Sequence, residues 1–274
     1  MSKNTSKIQY DKYYTHTDIA NHCWNKAYDV LGPDSITDVV EPSVGGGAFL
    51  CHPDHAPSMA YDIAPECESD ERTEVIKQDF LKLDLSYRPG RLFIGNPPFG
   101  ERMNLARAFY KKCVVMGDYI AFILPISQLN NSSSLFEFNL VYSEDLGMQD
   151  YSGRMLHCCF NIYKRPESGQ TNMRPSTKLK DITIFRYDTK GYADKEADVR
   201  MCYWGNGSAG KILSDGESYS AEYKIQVNNQ ALKDRVINVL SSFDWQGYLK
   251  GIAAKVIPQH QVYAVLAAAI PEIF

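Results

Sequence analysis

Short apolar runs alternate with amphipathic segments along the first part of the chain. Residues 17–31 and 104–116 carry apolar side chains every three to four positions, which is typical of helices packed on one face. Apolar runs of strand length cover residues 38–40, 58–61, 74–76, 91–94, 119–124 and 157–163. This alternation predicts an α/β protein with a doubly wound, mostly parallel sheet.

The pattern changes after residue 166. Residues 167–177 are rich in Ser, Gly, Pro and Asn, which is typical of a linker. We therefore predict two domains, a larger one over 1–166 and a smaller α+β module over 167–274. In the second domain we predict three strands and two helices, at residues 181–187, 199–204, 220–227, 230–243 and 259–269.

Composition narrows the class of protein. With 44% hydrophobic and 23% charged residues, the 274-residue chain has the balance of a folded globular protein. It contains no run of eighteen apolar residues and no apolar leader, so we expect no membrane association. Its seven cysteines show no Cys-x-x-Cys spacing, which favours free thiols in the cytoplasm or another reducing intracellular compartment, and no metal site.

The strongest chemical feature is the sequence Gly-Asn-Pro-Pro-Phe-Gly at residues 95–100, directly after a predicted strand. Two successive prolines fix the backbone, so the carbonyls of Asn96 and Pro97 point in set directions. The carboxamide of Asn96 adds another acceptor beside the ring of Phe99. Fixed acceptors next to a flat ring are suited to bind a planar amino group. We therefore favour a binding site over a turn that only ends the strand.

A second feature is the run Glu-Pro-Ser-Val-Gly-Gly-Gly-Ala-Phe at residues 41–49, which joins a strand to a predicted helix. Glycines allow a ligand to approach the backbone, and Glu41 offers a carboxylate. Asp62 follows at the end of the next strand, at the distance in sequence where an acidic residue binds ribose hydroxyls. Asp79 and Phe80 end the strand after that. Together, the glycine loop and these strand-end residues favour a binding site for a nucleoside-type ligand. An ordinary tight turn is the alternative.

These segments resemble motifs of the amino-group DNA methyltransferases that use S-adenosylmethionine. Residues 96–99 resemble their catalytic Asn-Pro-Pro-Phe/Tyr motif, and residues 41–49 resemble their cofactor loop. Residues 12–15 resemble the N-terminal element that closes over the cofactor, although His16 replaces the usual proline. Residues 160–164 resemble a late strand that lines the target-base pocket. The motif order, which spans residues 10–166, is similar to that of the gamma group of adenine-N6 enzymes.

The resemblance implies a Rossmann-like methyltransferase sheet and methyl transfer from S-adenosylmethionine to N6 of an adenine flipped out of double-stranded DNA. It implies no metal and no strong general base. The catalytic residues it implies are Asn96, Pro97, Pro98 and Phe99, and the base-binding residues are Phe99 and Phe160. The cofactor-binding residues it implies are Tyr13, Tyr14, Thr15, Glu41, Pro42, Gly45, Gly47, Phe49, Asp62, Ile63, Asp79, Phe80 and Asn96.

Several alternatives stay open from the sequence. Cytosine N4, an RNA adenine or a protein glutamine also presents a planar nitrogen, and a nucleic-acid-binding module could keep the fold without catalysis. The Gly-x-Gly-x-x-Gly match at residues 205–210 favours a mobile turn, with a phosphate-binding loop as the alternative. Residues 167–274 are expected to recognise the target. A homodimer and a helper subunit are both compatible with the sequence.

Overall fold

The chain forms two compact units, Met1–Met173 and Arg174–Phe274. The computed structural model describes residues 14–151, 154–174, 179–186, 196–250 and 256–273. The first unit ends at residue 173 rather than at the expected 166. The expectation for Tyr13 lies outside the described residues.

The first unit contains a seven-stranded sheet with the order β3-β2-β1-β4-β5-β7-β6. Strands β1 to β5 run parallel to one another, while β7 is antiparallel to both β5 and β6. The predicted mostly parallel α/β sheet is therefore confirmed. The strands are β1 (Asp38–Glu41), β2 (Met59–Asp62), β3 (Glu74–Lys77), β4 (Arg91–Gly95), β5 (Tyr119–Pro125), β6 (Asn139–Tyr151) and β7 (Arg154–Lys164).

Two α-helices, α1 (Thr17–Leu31) and α2 (Asn104–Val114), accompany the sheet. Both were expected from their spacing, because each buries one apolar stripe. In α1 the buried residues are Ala20, Cys23, Trp24 and Ala27, a helical repeat along one face. The central strands β1 and β4 are buried at every position, which explains the apolar residues at their inner positions.

The expected helix after the glycine loop is wrong. Only a 3₁₀ turn, Ala48–Leu50, follows Gly47, whose φ of 82° is left-handed. The indole Nε1 of Trp24 donates to the carbonyl oxygen of Phe49 at 2.9 Å, which occupies an acceptor that a continuing helix would use. Pro53 and Pro57 then lack the N–H groups that a helix needs.

The second unit has its own apolar core around an antiparallel sheet of order β8-β10-β9. The segment 205–211 is a turn with no helix after it, and Lys211 forms an ion pair with Glu217. Among the described residues, no helix could cross a lipid bilayer, and no cluster of His, Cys, Asp or Glu is arranged to bind a metal. The elements are β8 (Ile182–Arg186), β9 (Val199–Cys202), β10 (Glu222–Val227), α3 (Lys233–Ser242), α4 (Trp245–Lys250) and α5 (Gln259–Ala269).

Candidate active site

Two cavities adjoin one another at the carboxyl ends of the parallel strands in the first unit. The larger has a volume of about 420 Å³ and the smaller about 190 Å³. Both are lined by Tyr14, Ser43, Gly45 and Asn96, so they form two chambers of one site. Ligands bind at this edge in open α/β sheets because the loops after adjacent strands converge there.

The larger chamber collects most of the residues expected to bind a nucleoside. Its floor is apolar and aromatic, and Phe80 stacks on Phe109 with ring centroids 5.4 Å apart. Two carboxylates, Asp62 and Asp79, supply acceptors at its wall. The expected residues in the lining are Tyr14, Pro42, Gly45, Asp62, Ile63, Asp79, Phe80, Asn96 and Pro98.

Asp62 connects the glycine loop to the end of β2. Its Oδ2 accepts from the backbone N–H of Gly45 at 2.9 Å, and its Oδ1 accepts from that of Ala64 at 2.8 Å. Each carboxylate oxygen can accept more than one hydrogen bond, so Asp62 can hold the loop and still bind a hydroxyl pair. Asp79 caps the 3₁₀ turn Phe80–Lys82 in a similar way, accepting from Leu81 N–H at 3.0 Å.

Glu41 ends β1 beneath the smaller chamber and is only 1% exposed. Its Oε2 has no hydrogen-bond partner among the described residues. Burial, and secondarily the charge of Asp62, raise the pKa of the Glu41 carboxyl well above its ordinary value. A buried carboxyl oxygen without a partner is costly, so this position suits a ligand that brings a donor or a cation.

Asn96 stands in the wall that the two chambers share. Its Nδ2 donates to the hydroxyl of Thr15 at 3.1 Å, and the hydroxyl of Ser43 donates to its backbone carbonyl at 3.2 Å. Its Oδ1 is buried and has no partner among the described residues. The side chain is therefore held in one orientation while its acceptor oxygen remains available to a bound group.

Tyr14 covers the glycine loop. Its hydroxyl donates to Glu66 Oε2 at 2.5 Å, and this bond raises the pKa of Tyr14 to about 12. Glu66 in turn donates its backbone N–H to the carbonyl of Gly45 at 2.9 Å. A Cβ at Gly46 would lie 3.1 Å from the Tyr14 ring, so the close approach of that ring favours glycine there. Thr15 and Phe49, also expected at the cofactor, line the smaller chamber.

Four expected residues do not line either chamber: Gly47, Pro97, Phe99 and Phe160. Gly47 turns the loop, and Pro97 is buried. Phe99 is 8% exposed and belongs to the main core, so its contact with a base stays a prediction. Phe160 is fully buried on β7, between Ile123 of β5 and Glu144 of β6, and this placement gives no support to its expected place in a base pocket.

The structure adds lining residues that the sequence analysis missed. Ser43 and Gln78 lie next to residues that were expected, and their positions at strand ends were the available signal. Leu105 and Phe109 line the larger chamber from α2. Their spacing of four residues marks one helical face, but it does not distinguish a cavity wall from an ordinary core contact.

No family model and no curated protein matches this chain. Solved structures with distant likeness to this chain include several methyltransferases, three of which follow. A proposed RNA methyltransferase from Pyrococcus horikoshii is 16% identical with a TM-score of 0.44, covering 60% of this chain and 92% of its own. The 23S rRNA methyltransferase ErmE is 13% identical with a TM-score of 0.41, covering 57% of this chain and 70% of its own.

The third likeness is to the magnesium protoporphyrin IX methyltransferase of Synechocystis, solved with bound S-adenosylmethionine. It is 11% identical with a TM-score of 0.39, covering 53% of this chain and 80% of its own. Likeness this distant carries no argument about activity.

Proposed function

We propose that this protein transfers a methyl group from S-adenosylmethionine to the exocyclic N6 of an adenine in DNA. The observation that carries the proposal is the unpartnered Oδ1 of Asn96 in the wall between the two chambers. A hydrogen-bond acceptor held at that point can bind the amino group of a substrate. The methyl donor would lie beside that amino group and extend through both chambers. The Asn-Pro-Pro-Phe sequence around it supplies the second acceptor, the Pro97 carbonyl.

The residues of the two chambers fit the parts of the cofactor. The aromatic wall with Phe80 and Asp79 suits an adenine ring, and Asp62 suits the ribose hydroxyls. The buried, unpartnered carboxyl of Glu41 suits the ammonium group at the amino-acid end, which would favour its ionised form. When bound, S-adenosylmethionine supplies an electrophilic methyl group on a positively charged sulfur.

Asn96 and Pro97 would act on the nucleophile. The nitrogen of an aromatic amine is a weak nucleophile because its lone pair is delocalised into the ring. Hydrogen bonds from its two N–H groups to Asn96 Oδ1 and the Pro97 carbonyl favour a pyramidal nitrogen with an available lone pair. Both acceptors are fixed before the reaction, so they stabilise the developing positive charge without reorganisation. Orienting the amino group towards the methyl group supplies the remaining rate enhancement.

Phe99 would stack on the extruded base, since an adenine within a duplex cannot reach the chamber wall. Its ring is 8% exposed, so stacking requires the Phe99 side chain to turn out of the core when the base enters, while the Asn96 and Pro97 acceptors stay in place. Arg102 and Met103, just beyond, have left-handed φ values of 51° and 64°. Such conformations are strained for residues other than glycine and are typical of functional loops.

Methyl transfer from radiolabelled S-adenosylmethionine to unmethylated duplex DNA tests the proposal. We expect the label in DNA, and nucleoside analysis by mass spectrometry should find N6-methyladenine. The variant Asn96→Ala should label DNA about 10²–10³-fold more slowly, while Asn139→Ala, at the other edge of the sheet, should match the wild-type protein. This control separates loss of the acceptor from a general effect of removing an asparagine.

Parallel reactions with RNA and with protein decide between the acceptors. N4-methylcytosine, labelled RNA or labelled protein would support methyltransferase activity. The same result would contradict the assignment of adenine N6 as the acceptor. An absence of transfer to every acceptor, together with an absence of cofactor binding by calorimetry, would contradict the proposal as a whole. That result would favour a binding module without catalysis.

A further inference from the structure

Helix α2 and the turn before it carry an excess of positive charge. We define the basic stripe as Arg102, Arg107, Lys111 and Lys112. Residues 101–112 contain these four cations and one acidic residue, Glu101, although the whole chain has a net charge of −4. The stripe is thus a local positive surface on an acidic protein, and such surfaces attract polyanions.

The geometry of α2 places the stripe on the solvent side of the site wall. The helix buries Ala106, Phe109 and Tyr110 on one side, while Arg107 and Lys111 are exposed on the other. Arg107 and Lys111 are four residues apart, which is about 6 Å along the helix axis. A DNA strand carries a phosphate every 3.4 Å or so of its axis, so the two cations can contact different phosphates.

The cations of the stripe have no close ion-pair partner among the described residues. Arg107, Lys111 and Lys112 form no ion pair within the described residues. Arg102 has only a 3.9 Å contact with Glu101, and both side chains are almost fully exposed.

The helix dipole accounts for only part of the stripe. It favours Lys111 and Lys112 in the last turn of α2, but it disfavours cations at the helix start, where Arg107 lies in the first turn and Arg102 just precedes it. Two of the four positive charges therefore oppose the field of their own helix, which points to an external anion.

We propose that the basic stripe binds the phosphodiester backbone of the DNA that carries the target adenine. The inference rests on the proposed function and extends it, because it assigns the surface along which the substrate lies. Arg102 is three residues beyond Phe99, so the stripe begins next to the loop that would hold the flipped base. Cation contacts with phosphates position a duplex on a protein and carry no sequence information.

The double variant Arg107→Gln/Lys111→Gln tests the stripe. Binding of a fluorescent duplex is measured by polarisation between about 50 and 200 mM salt. Each lost phosphate contact lowers the slope of log affinity against log salt by about 0.9, so the double variant should lose about 1.8. With DNA saturating, kcat should match the wild-type value while KM for DNA rises. Equal melting temperatures show that the fold is intact.

The matched control is Lys164→Gln, compared with Lys111→Gln as single charge removals. Lys164 is exposed at the end of β7, on the amino edge of the parallel strands. We expect Lys164→Gln to keep the wild-type slope and Lys111→Gln to lower it by about 0.9. Equal slopes for the two variants, or a wild-type protein without salt-dependent DNA binding, would overturn the inference.

The same measurements test the basic stripe and the proposed methyltransferase activity independently. DNA binding that depends on the stripe without any methyl transfer would support the surface and contradict the proposed function. Methyl transfer to adenine with a slope that Arg107→Gln/Lys111→Gln leaves unchanged would contradict the stripe alone.

Discussion

The two ends of β1 carry carboxylates in opposite situations. Asp38, at the amino end, accepts from Arg91 Nε at 2.6 Å and from the Ser58 hydroxyl at 2.8 Å. Burial opposes its ionisation, but these hydrogen bonds and the charges of Arg91 and Arg88 outweigh it and lower its pKa. Glu41, three residues later, is buried with an unpartnered oxygen and a raised pKa. A single strand thus carries one satisfied acid and one unsatisfied acid.

Strand β4 and the loop after it repeat the contrast. Arg91, at its amino end, donates to Asp38 and to the carbonyls of Ser86 and Met116. Asn96, just past its carboxyl end, keeps a buried acceptor without a partner. Polar groups at the amino edge complete one another and stabilise the fold. At the carboxyl edge, Glu41 and Asn96 each keep one buried oxygen without a partner among the described residues. The following variants test that distinction.

Asp38→Ala should have the largest effect on stability. Removing the acid leaves the buried Arg91 charge without its ion-pair partner, which costs about 3 kcal/mol of unfolding free energy because Arg91 keeps its two carbonyl acceptors. Urea unfolding measures this, with the exposed Asp34→Asn as control. The folded pKa of Asp38 lies below the ordinary 3.8, so its contribution is present above that value and is lost as pH falls through the folded pKa. A stable Asp38→Ala protein would contradict the structural role of the amino edge.

Asn96→Ala should affect catalysis and not folding. Loss of one fixed polar group at a reacting centre costs about 10²–10³-fold in kcat. Single-turnover methyl transfer measures the rate, and calorimetry should show that the cofactor still binds. Loss of stability comparable to that of Asp38→Ala would mean that Asn96 is structural, and the contrast between the edges would fail.

Glu41→Gln should stabilise the free protein, by about 1 kcal/mol, because a buried acid without a partner resists ionisation. Its folded pKa is raised above the ordinary 4.5, so the folded state binds the extra proton. The wild-type protein should lose stability as pH rises from 4.5 through the folded pKa, and the variant should not. Thermal melting across pH measures this. Cofactor affinity should fall in the same variant, and an unchanged affinity would remove Glu41 from the site.

Tyr14→Phe should have the smallest effect. It removes one exposed hydrogen bond to Glu66, so we expect cofactor affinity to fall about two- to threefold. Tyr87→Phe is the matched control, because the Tyr87 hydroxyl also donates to an exposed carboxylate, Asp118, but at the amino edge. Calorimetry should find Tyr87→Phe equal to the wild-type protein. An equal loss of cofactor affinity in both variants would mean that the effect does not depend on the edge of the sheet.

Much of the fold was predictable because burial repeats with the period of each element. Helix α1 has the predicted bounds, and the apolar strands β4 and β5 end within one residue of them. Strand β6 was not predicted, because it is a polar edge strand whose register shifts twice against β7. Helix α4 was missed as well, since its six residues are too few to show a period.

The candidate site was predictable where a polar or charged residue lies at the end of a predicted strand. Asp62 and Asn96 stood out because polar residues followed apolar runs. Ser43 and Gln78 also follow strands, but uncharged polar residues are common in any loop, so this signal does not single them out. Phe160 was expected at a base pocket from a motif alone, and its burial depends on the pairing of β5, β7 and β6, which the sequence does not reveal.

A crystal structure with bound S-adenosylmethionine tests most directly whether the unpartnered atoms of the carboxyl edge mark the site. We expect its ammonium group within hydrogen-bond distance of Glu41 Oε2, its ribose at Asp62, and its methyl group facing Asn96. Electron density for the cofactor elsewhere on the protein, with Glu41 and Asn96 still unpartnered, would contradict the account.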